Sequence, residues 1–133
     1  MIEALQDIKK QTKIIGVSLL TSLDNEDLKK MGINLKSNEF VEHLVKIGVN
    51  AGIDGIVSSA QEVDNLKKKF NDLIFVTPGI RLSSDKTDDQ KRTKSPRSAI
   101  ASGSDLLVIG RPITKSKNPV SSINEIINNI ENG

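Results

Sequence analysis

Four short apolar runs alternate with amphipathic segments along this chain of 133 residues, and that alternation constrains the fold more than any other feature. The runs cover residues 13–20, 54–59, 73–77 and 106–109. Each has strand length and is bounded by turn residues, whereas the segments between them repeat apolar residues at helical spacing. Strands that alternate with helices pair in parallel through right-handed crossovers. The sequence therefore predicts an α/β fold of four parallel strand–helix units, in one domain spanning residues 1–133.

Capping residues and apolar spacing place the helices. The first eleven residues are expected to end a helix. Asp24 and Ser37 are expected N-caps, and Ser95 followed by Pro96 opens a helix that Gly103 closes. The last helix is expected to bury four isoleucines: Ile123, Ile126, Ile127 and Ile130.

The fourth run ends in a Gly110-Arg111 pair. Its continuous apolar character predicts a strand buried on both faces. Glycine allows the backbone to approach a bound group closely, and an arginine guanidinium can hold a phosphate through two parallel hydrogen bonds. On these residues alone two interpretations stay open, namely one wall of an anion-binding cup or an ordinary turn with a solvated arginine.

Other strands are followed by residues that suit the same site. Thr21 comes after the first run, and Pro78 and Arg81 come after the third. Ligands of parallel α/β folds bind at the carboxyl ends of the strands, in open and closed sheets alike. Residues 80–94 form a long polar stretch without periodicity, and residues 81–97 carry six basic and three acidic side chains. This agreement favours the anion-binding interpretation.

Composition narrows the classes of function. Cysteine is absent and His43 is the only histidine, which excludes thiolate metal sites and histidine-rich metal sites. The only aromatic residues are three phenylalanines, so stacking platforms for nucleic acid are not expected. No apolar stretch reaches the length of a membrane span, and residues 1–10 lack a signal-peptide pattern. These features predict a cytoplasmic protein with neither nucleic-acid nor membrane partners.

Five sequence blocks together resemble the orotidine 5'-phosphate decarboxylase family, in its bacterial type: LLTSL (19–23), DGIVSSAQE (54–62), VTPGIR (76–81), DQKR (89–92) and VIGRPIT (108–114). That family folds as a (β/α)8 TIM barrel. It converts orotidine monophosphate (OMP) to uridine monophosphate (UMP) and carbon dioxide in pyrimidine biosynthesis, with no cofactor or metal. The resemblance implies a carboxy-lyase half barrel, equivalent to strands five to eight.

The resemblance also assigns substrate binding to six residues: Thr21, Pro78, Arg81, Gln90, Gly110 and Arg111. Arg111, the backbone of Gly110 and Arg81 would hold the phosphate. Gln90 would bridge the phosphate and the pyrimidine, and Thr21 and Pro78 would contact the ring. The implied ligand is a nucleotide monophosphate, OMP or UMP, or phosphate itself. Residues 83–94 would form the loop that grips the phosphate, and we expect them to be disordered without ligand.

The chain departs from the family in two respects. A barrel of this kind has about 250 residues, and the family's catalytic Asp-x-Lys-x-x-Asp motif is absent, because Thr12 stands where an aspartate should follow Asp7 and Lys9. We therefore expect the chain to be inactive alone. We also expect a homo-oligomer or a complex with a complementary N-terminal half, because a half barrel has two open edges. Its inward side chains would lose the opposite wall, and these are expected to be Ile14, Val17, Val57, Val76 and Val108 or their neighbours.

Two other functions are compatible with these residues. One is a related phosphosugar decarboxylase on a similar barrel, and the other is a phosphate-binding or assembly module without chemistry. By resemblance, VTPGIR with a downstream Asp-Gln favours a nucleotide over an open-chain sugar.

Overall fold

The computed structural model describes residue 4, residues 12–82 and residues 92–132. Its elements follow one another as β1 (Ile15–Val17), α1 (Asn25–Lys30), α2 (Ser37–Asn50), β2 (Gly55–Val57), α3 (Ala60–Lys69), β3 (Ile74–Thr77), α4 (Pro96–Ala101), β4 (Leu106–Leu107), α5 (Arg111–Thr114) and α6 (Pro119–Asn132). The strands form one parallel sheet in the order β1-β2-β3-β4. The predicted arrangement of four parallel strands is confirmed. The helix expected in residues 1–11 lies, apart from residue 4, outside the described part.

Local sequence signals explain where most helices begin. The Asp24 side chain caps α1 by accepting hydrogen bonds from two backbone N–H groups of the first turn. The Ser95 side chain caps α4 by accepting one hydrogen bond, from the N–H of Ser98, with a proline at the start of the helix. The predicted cap of α2 is wrong by one residue. Lys36 occupies the cap position, and the N–H of Ser37 donates to Asn25 Oδ1 at 2.7 Å.

One face of the sheet packs against the helices. Gly16, Ile56 and Phe75 lie side by side in the register, and the last two are 2% and 0% exposed. Ile56 and Phe75 belong to the main hydrophobic core, to which α2 contributes Val41 and Val45. This face is buried because α2 and α3 cover it with the apolar stripes that their spacing predicts.

The other face is uncovered at its ends in the described part of the chain. Val17, Val57, Val76 and Leu106 form one row across the sheet, and its outer members Val17 and Leu106 are 61% and 57% exposed. The prediction that β4 is buried on both faces is wrong, because β4 is an edge of the sheet. Ile14 is in the main core, and its neighbour Ile15 takes the expected place on this face. We call the following side chains the open face: Ile15, Val17, Val57, Ile74, Val76 and Leu106.

The last helix differs most from its prediction. In α6 only Ile126 is buried, whereas Ile123 and Ile127 are 40% and 44% exposed and Ile130 is half-buried. The helix packs on the short helices α4 and α5, which cover a single stripe of it. Among the described ranges, no helix is both long enough and apolar enough to cross a membrane.

Gly55 occupies a position in β2 with no room for a side chain. An added Cβ would lie 2.5 Å from the carbonyl oxygen of Ile74 and 2.8 Å from Cδ1 of Ile15. We expect Gly55→Ala to lower the free energy of unfolding by about 1–3 kcal/mol, because backbone must move to relieve the overlap. Urea denaturation measures this change. Gly110→Ala is the matched control, since its added Cβ would meet no atom of the described residues within 4 Å. Equal losses in both variants would contradict the prediction.

Candidate functional site

The carboxyl ends of the parallel strands lie along one edge of the sheet. The segments that leave them carry five of the six predicted site residues: Thr21 after β1, Pro78 and Arg81 after β3, and Gly110 and Arg111 after β4. Gln90 and most of the predicted gripping loop lie outside the described residues. Parallel pairing gathers these segments at one edge because every strand points the same way.

A cleft of about 190 Å³ opens at the carboxyl ends of β1, β2 and β3. Thr21 and Pro78, expected to contact the same ring, both line it. The rest of its lining comes from the ends of β1 and β2: Val17, Leu19, Leu20, Ser22, Val57 and Ser58. Apolar side chains beside a few hydroxyl groups are typical of a pocket that holds a ring with polar edges.

Ser58 is a lining residue that the sequence did not single out. It is 1% exposed, and its Oγ has no hydrogen-bond partner among the described residues. A buried hydroxyl without a hydrogen-bond partner is energetically unfavourable. This corner of the cleft therefore has an unused hydrogen-bonding group. The signal in the sequence that could have indicated Ser58 is the pair of serines that ends the second apolar run. The other one, Ser59, caps α3.

Arg81 lies in the interior. It is 8% exposed, and its Nη1 donates to the carbonyl oxygen of Ile80 at 2.7 Å. Its backbone N–H donates to the carbonyl oxygen of Lys94 at 3.1 Å, next to a parallel bridge between Ile80 and Lys94. Backbone pairing of Ile80 and Arg81 with Lys94 therefore joins the two segments that flank residues 83–91. The phosphate contact expected of Arg81 stays a prediction.

Gly110 and Arg111 stand where β4 gives way to α5. Gly110 is exposed at the cap position of α5 with a φ of −98°. No described neighbour requires glycine there, because a Cβ would find open space within 4 Å. That open space is what a bound group needs if it is to approach the backbone. Arg111 follows at once and is half-buried.

Arg92 links the segments that follow β1, β2 and β3. Its Nη2 donates to the carbonyl oxygens of Leu19 and Leu20, each at 2.9 Å, and its Nη1 donates to the carboxylate of Glu62. Ser59 Oγ donates to the carbonyl oxygen of Arg92 at 3.4 Å. Burial raises the pKa of the Glu62 carboxyl, and the charge of Arg92 opposes that rise. In the sequence, Arg92 was singled out only as the last residue of the DQKR block, without a role of its own.

A larger hollow of about 300 Å³ lies between α2 and α3. Its charged groups already have partners, since Glu42 accepts from Lys46 and Lys69 and those contacts lower the pKa of its carboxyl to about 2. The smaller cleft is the better candidate because its walls come from the ends of three adjacent strands.

The residues of this chain match a known family along most of its length. Residues 1–126 fit the model of the orotidine 5'-phosphate decarboxylase / HUMPS family. The chain belongs to that family. A relative from Coxiella burnetii named orotidine 5'-phosphate decarboxylase is 47% identical over 98% of this chain and 57% of its own length. One of the same name from Hydrogenovibrio crunogenus is 45% identical over 93% of this chain and 53% of its own length. The chain spans about half the length of these curated relatives.

Solved structures agree with the fold. The crystal structure of orotidine 5'-phosphate decarboxylase from Lactobacillus acidophilus matches 98% of this chain and 58% of its own, with a TM-score of 0.77 and 29% identity. The enzyme of that name from Sulfolobus solfataricus has a TM-score of 0.68 at 20% identity, which shows the fold alone. These neighbours are TIM barrels, and the four parallel strands of this chain form half of such a barrel. The predicted fold and the family resemblance are confirmed.

Proposed function

We propose that this chain is the substrate-holding half of an orotidine 5'-phosphate decarboxylase, the carboxy-lyase that converts OMP to UMP and carbon dioxide. The observation that carries the proposal is the cleft at the carboxyl ends of the strands, which Thr21 and Pro78 both line. Family membership supports the choice of reaction. Thr21 and Pro78 hold the pyrimidine, and Gly110, Arg111 and Arg81 hold the phosphate, with Gln90 between them.

The chemistry divides between two tasks. Loss of carbon dioxide leaves a carbanion on the ring, which needs a nearby ammonium group for stabilisation and protonation. Phosphate contacts at the far end of the substrate supply binding energy that orders the reacting end. The residues of this chain suit the second task, which is to bind the phosphate end of the substrate. We propose that the rest of the barrel, in the same or a separate polypeptide, supplies the first and covers the open face.

Arg111→Ala tests the phosphate assignment. We expect the variant to bind UMP about 1.5–3 kcal/mol more weakly, the usual contribution of a hydrogen bond to a charged group. Isothermal titration calorimetry measures the affinity. The matched control is Arg97→Ala, because Arg97 is exposed on α4. Unchanged UMP affinity in Arg111→Ala would reject the assignment. Ribose 5-phosphate bound as tightly as UMP by the unaltered chain would favour the phosphosugar alternative.

Gly110→Ala separates ligand approach from folding. We expect stability close to that of the unaltered chain, because the added methyl group meets open space. We also expect UMP binding to weaken by about 1–3 kcal/mol, the usual effect of an extra methyl group in an occupied space. Thermal unfolding and calorimetry on the same samples measure both quantities. Wild-type affinity in a folded variant would show that no ligand atom approaches the backbone there.

The predicted cytoplasmic location, and the predicted lack of nucleic-acid and membrane partners, belong to the same proposal. They follow from the family's reaction, which acts on a small soluble nucleotide.

A further inference from the structure

The side chain of Arg92 lies directly behind one wall of the cleft. Its Nη2 donates to the carbonyl oxygens of Leu19 and Leu20, each at 2.9 Å. Both residues line the cleft, and Thr21 follows them at once. A single nitrogen therefore fixes two consecutive carbonyl groups of the segment that carries Thr21. Arginine is suited to this because its donors are held in a rigid, planar arrangement.

The ion pair between Arg92 and Glu62 places two charged side chains in the protein interior. The side chains of Arg92 and Glu62 are each 6% exposed. Arg92 Nε and Glu62 Oε2 have no hydrogen-bond partner within the described residues. A buried ion pair is on average no more stabilising than apolar side chains of the same volume. What apolar side chains could not reproduce is the pair of hydrogen bonds that fixes the two carbonyl groups.

Arg92 contacts the walls of the cleft and not its phosphate end. It holds the segment after β1 through Leu19 and Leu20, and it holds the start of α3, after β2, through Glu62 and Ser59. It lies itself in the segment after β3. Among the described residues, none of its hydrogen bonds involves the segment after β4, where the phosphate is proposed to bind. We infer that Arg92 is a positioning residue for the ring-binding cleft, an inference that rests on the proposed function.

Two substitutions separate positioning from charge pairing. Arg92→Lys keeps a cation for Glu62 but replaces the planar guanidinium with a single ammonium group. Arg92→Met removes every donor and leaves the Glu62 carboxylate buried without its partner. If Arg92→Met does not fold, Arg92→Lys decides the question. Arg97→Lys and Arg97→Met are the matched controls, because Arg97 is exposed on α4.

The test compares UMP with ribose 5-phosphate, which lacks the ring, by calorimetry on the 133-residue chain. In Arg92→Lys we expect UMP to bind roughly five- to tenfold more weakly, comparable to the loss of one hydrogen bond. Ribose 5-phosphate affinity should stay the same. A purely structural role would weaken both ligands equally through the folded fraction, which thermal unfolding reports. An unchanged ratio of the two affinities overturns this inference alone. A wild-type chain that binds neither ligand overturns the proposed function and this inference with it.

Discussion

The 133-residue chain alone should release no carbon dioxide from OMP above the uncatalysed background. The reason is that its sequence lacks the Asp-x-Lys-x-x-Asp motif, with Thr12 in place of the second aspartate in its nearest approximation. Without that lysine, no ammonium group faces the carbanion, and the loss of such stabilisation lowers rates by orders of magnitude. Addition of the N-terminal half of a family relative should restore release.

Release of labelled carbon dioxide from carboxyl-labelled OMP is the measurement. The N-terminal half alone and the mixture containing Arg111→Ala are the controls, and both should be far less active than the mixture. Decarboxylation by the isolated chain would contradict the division of tasks. A mixture that forms a complex without activity would show that the two halves do not share one site.

The open face gives the physical reason for association. Val17 and Leu106 at its ends are 61% and 57% exposed, and they lie on β1 and β4, the two edges of the sheet. Edge strands present unpaired backbone groups, and an exposed apolar surface is a site of association. We expect light scattering to show that the isolated chain is not a monomer, and that the N-terminal half replaces its self-contacts. A compact, active monomer would reject this.

The sequence predicted the positions of the strands and helices better than the burial of their side chains. Apolar runs and caps such as Asp24 and Ser95 are local signals, so strand order and helix starts followed from them. Burial depends on what packs outside an element, which no local pattern reports. Val17 and Leu106 have the composition of buried strand residues, and only the resemblance to half of a barrel indicated that the face carrying Val17 would lose its opposite wall. Ile123 on α6 is exposed because α4 and α5 cover only one stripe of that helix.

The candidate site was predictable where the topology alone determines it. Thr21 and Pro78 reach one cleft because parallel strands end at the same edge. The contacts of Arg92 were not predictable, since they join residues 73 positions apart with Leu19 and 30 positions apart with Glu62. Such pairs carry no spacing signal, and a charged residue in a polar stretch is ordinarily solvated.

Loss of the Glu62 carboxylate should be the most damaging single change to the stability of the chain. Glu62→Ala leaves the Arg92 guanidinium in the interior with its main charge partner removed. Breaking a buried pair in this way destabilises by about 3–5 kcal/mol. Urea denaturation of Glu62→Ala measures the loss. The matched control is Asp64→Ala, whose surface pair with Lys68 is 57% and 68% exposed and should contribute at most about 1 kcal/mol.

Replacing both members of the pair distinguishes stability from positioning. In Glu62→Leu/Arg92→Met no charge is left buried, so the double variant should recover most of the stability lost in Glu62→Ala. It should not recover the preference for UMP over ribose 5-phosphate, because the donors to Leu19 and Leu20 are gone. A double variant as unstable as Glu62→Ala would show that the pair stabilises the fold directly. A stable double variant that keeps its preference for UMP would show that the cleft does not need Arg92.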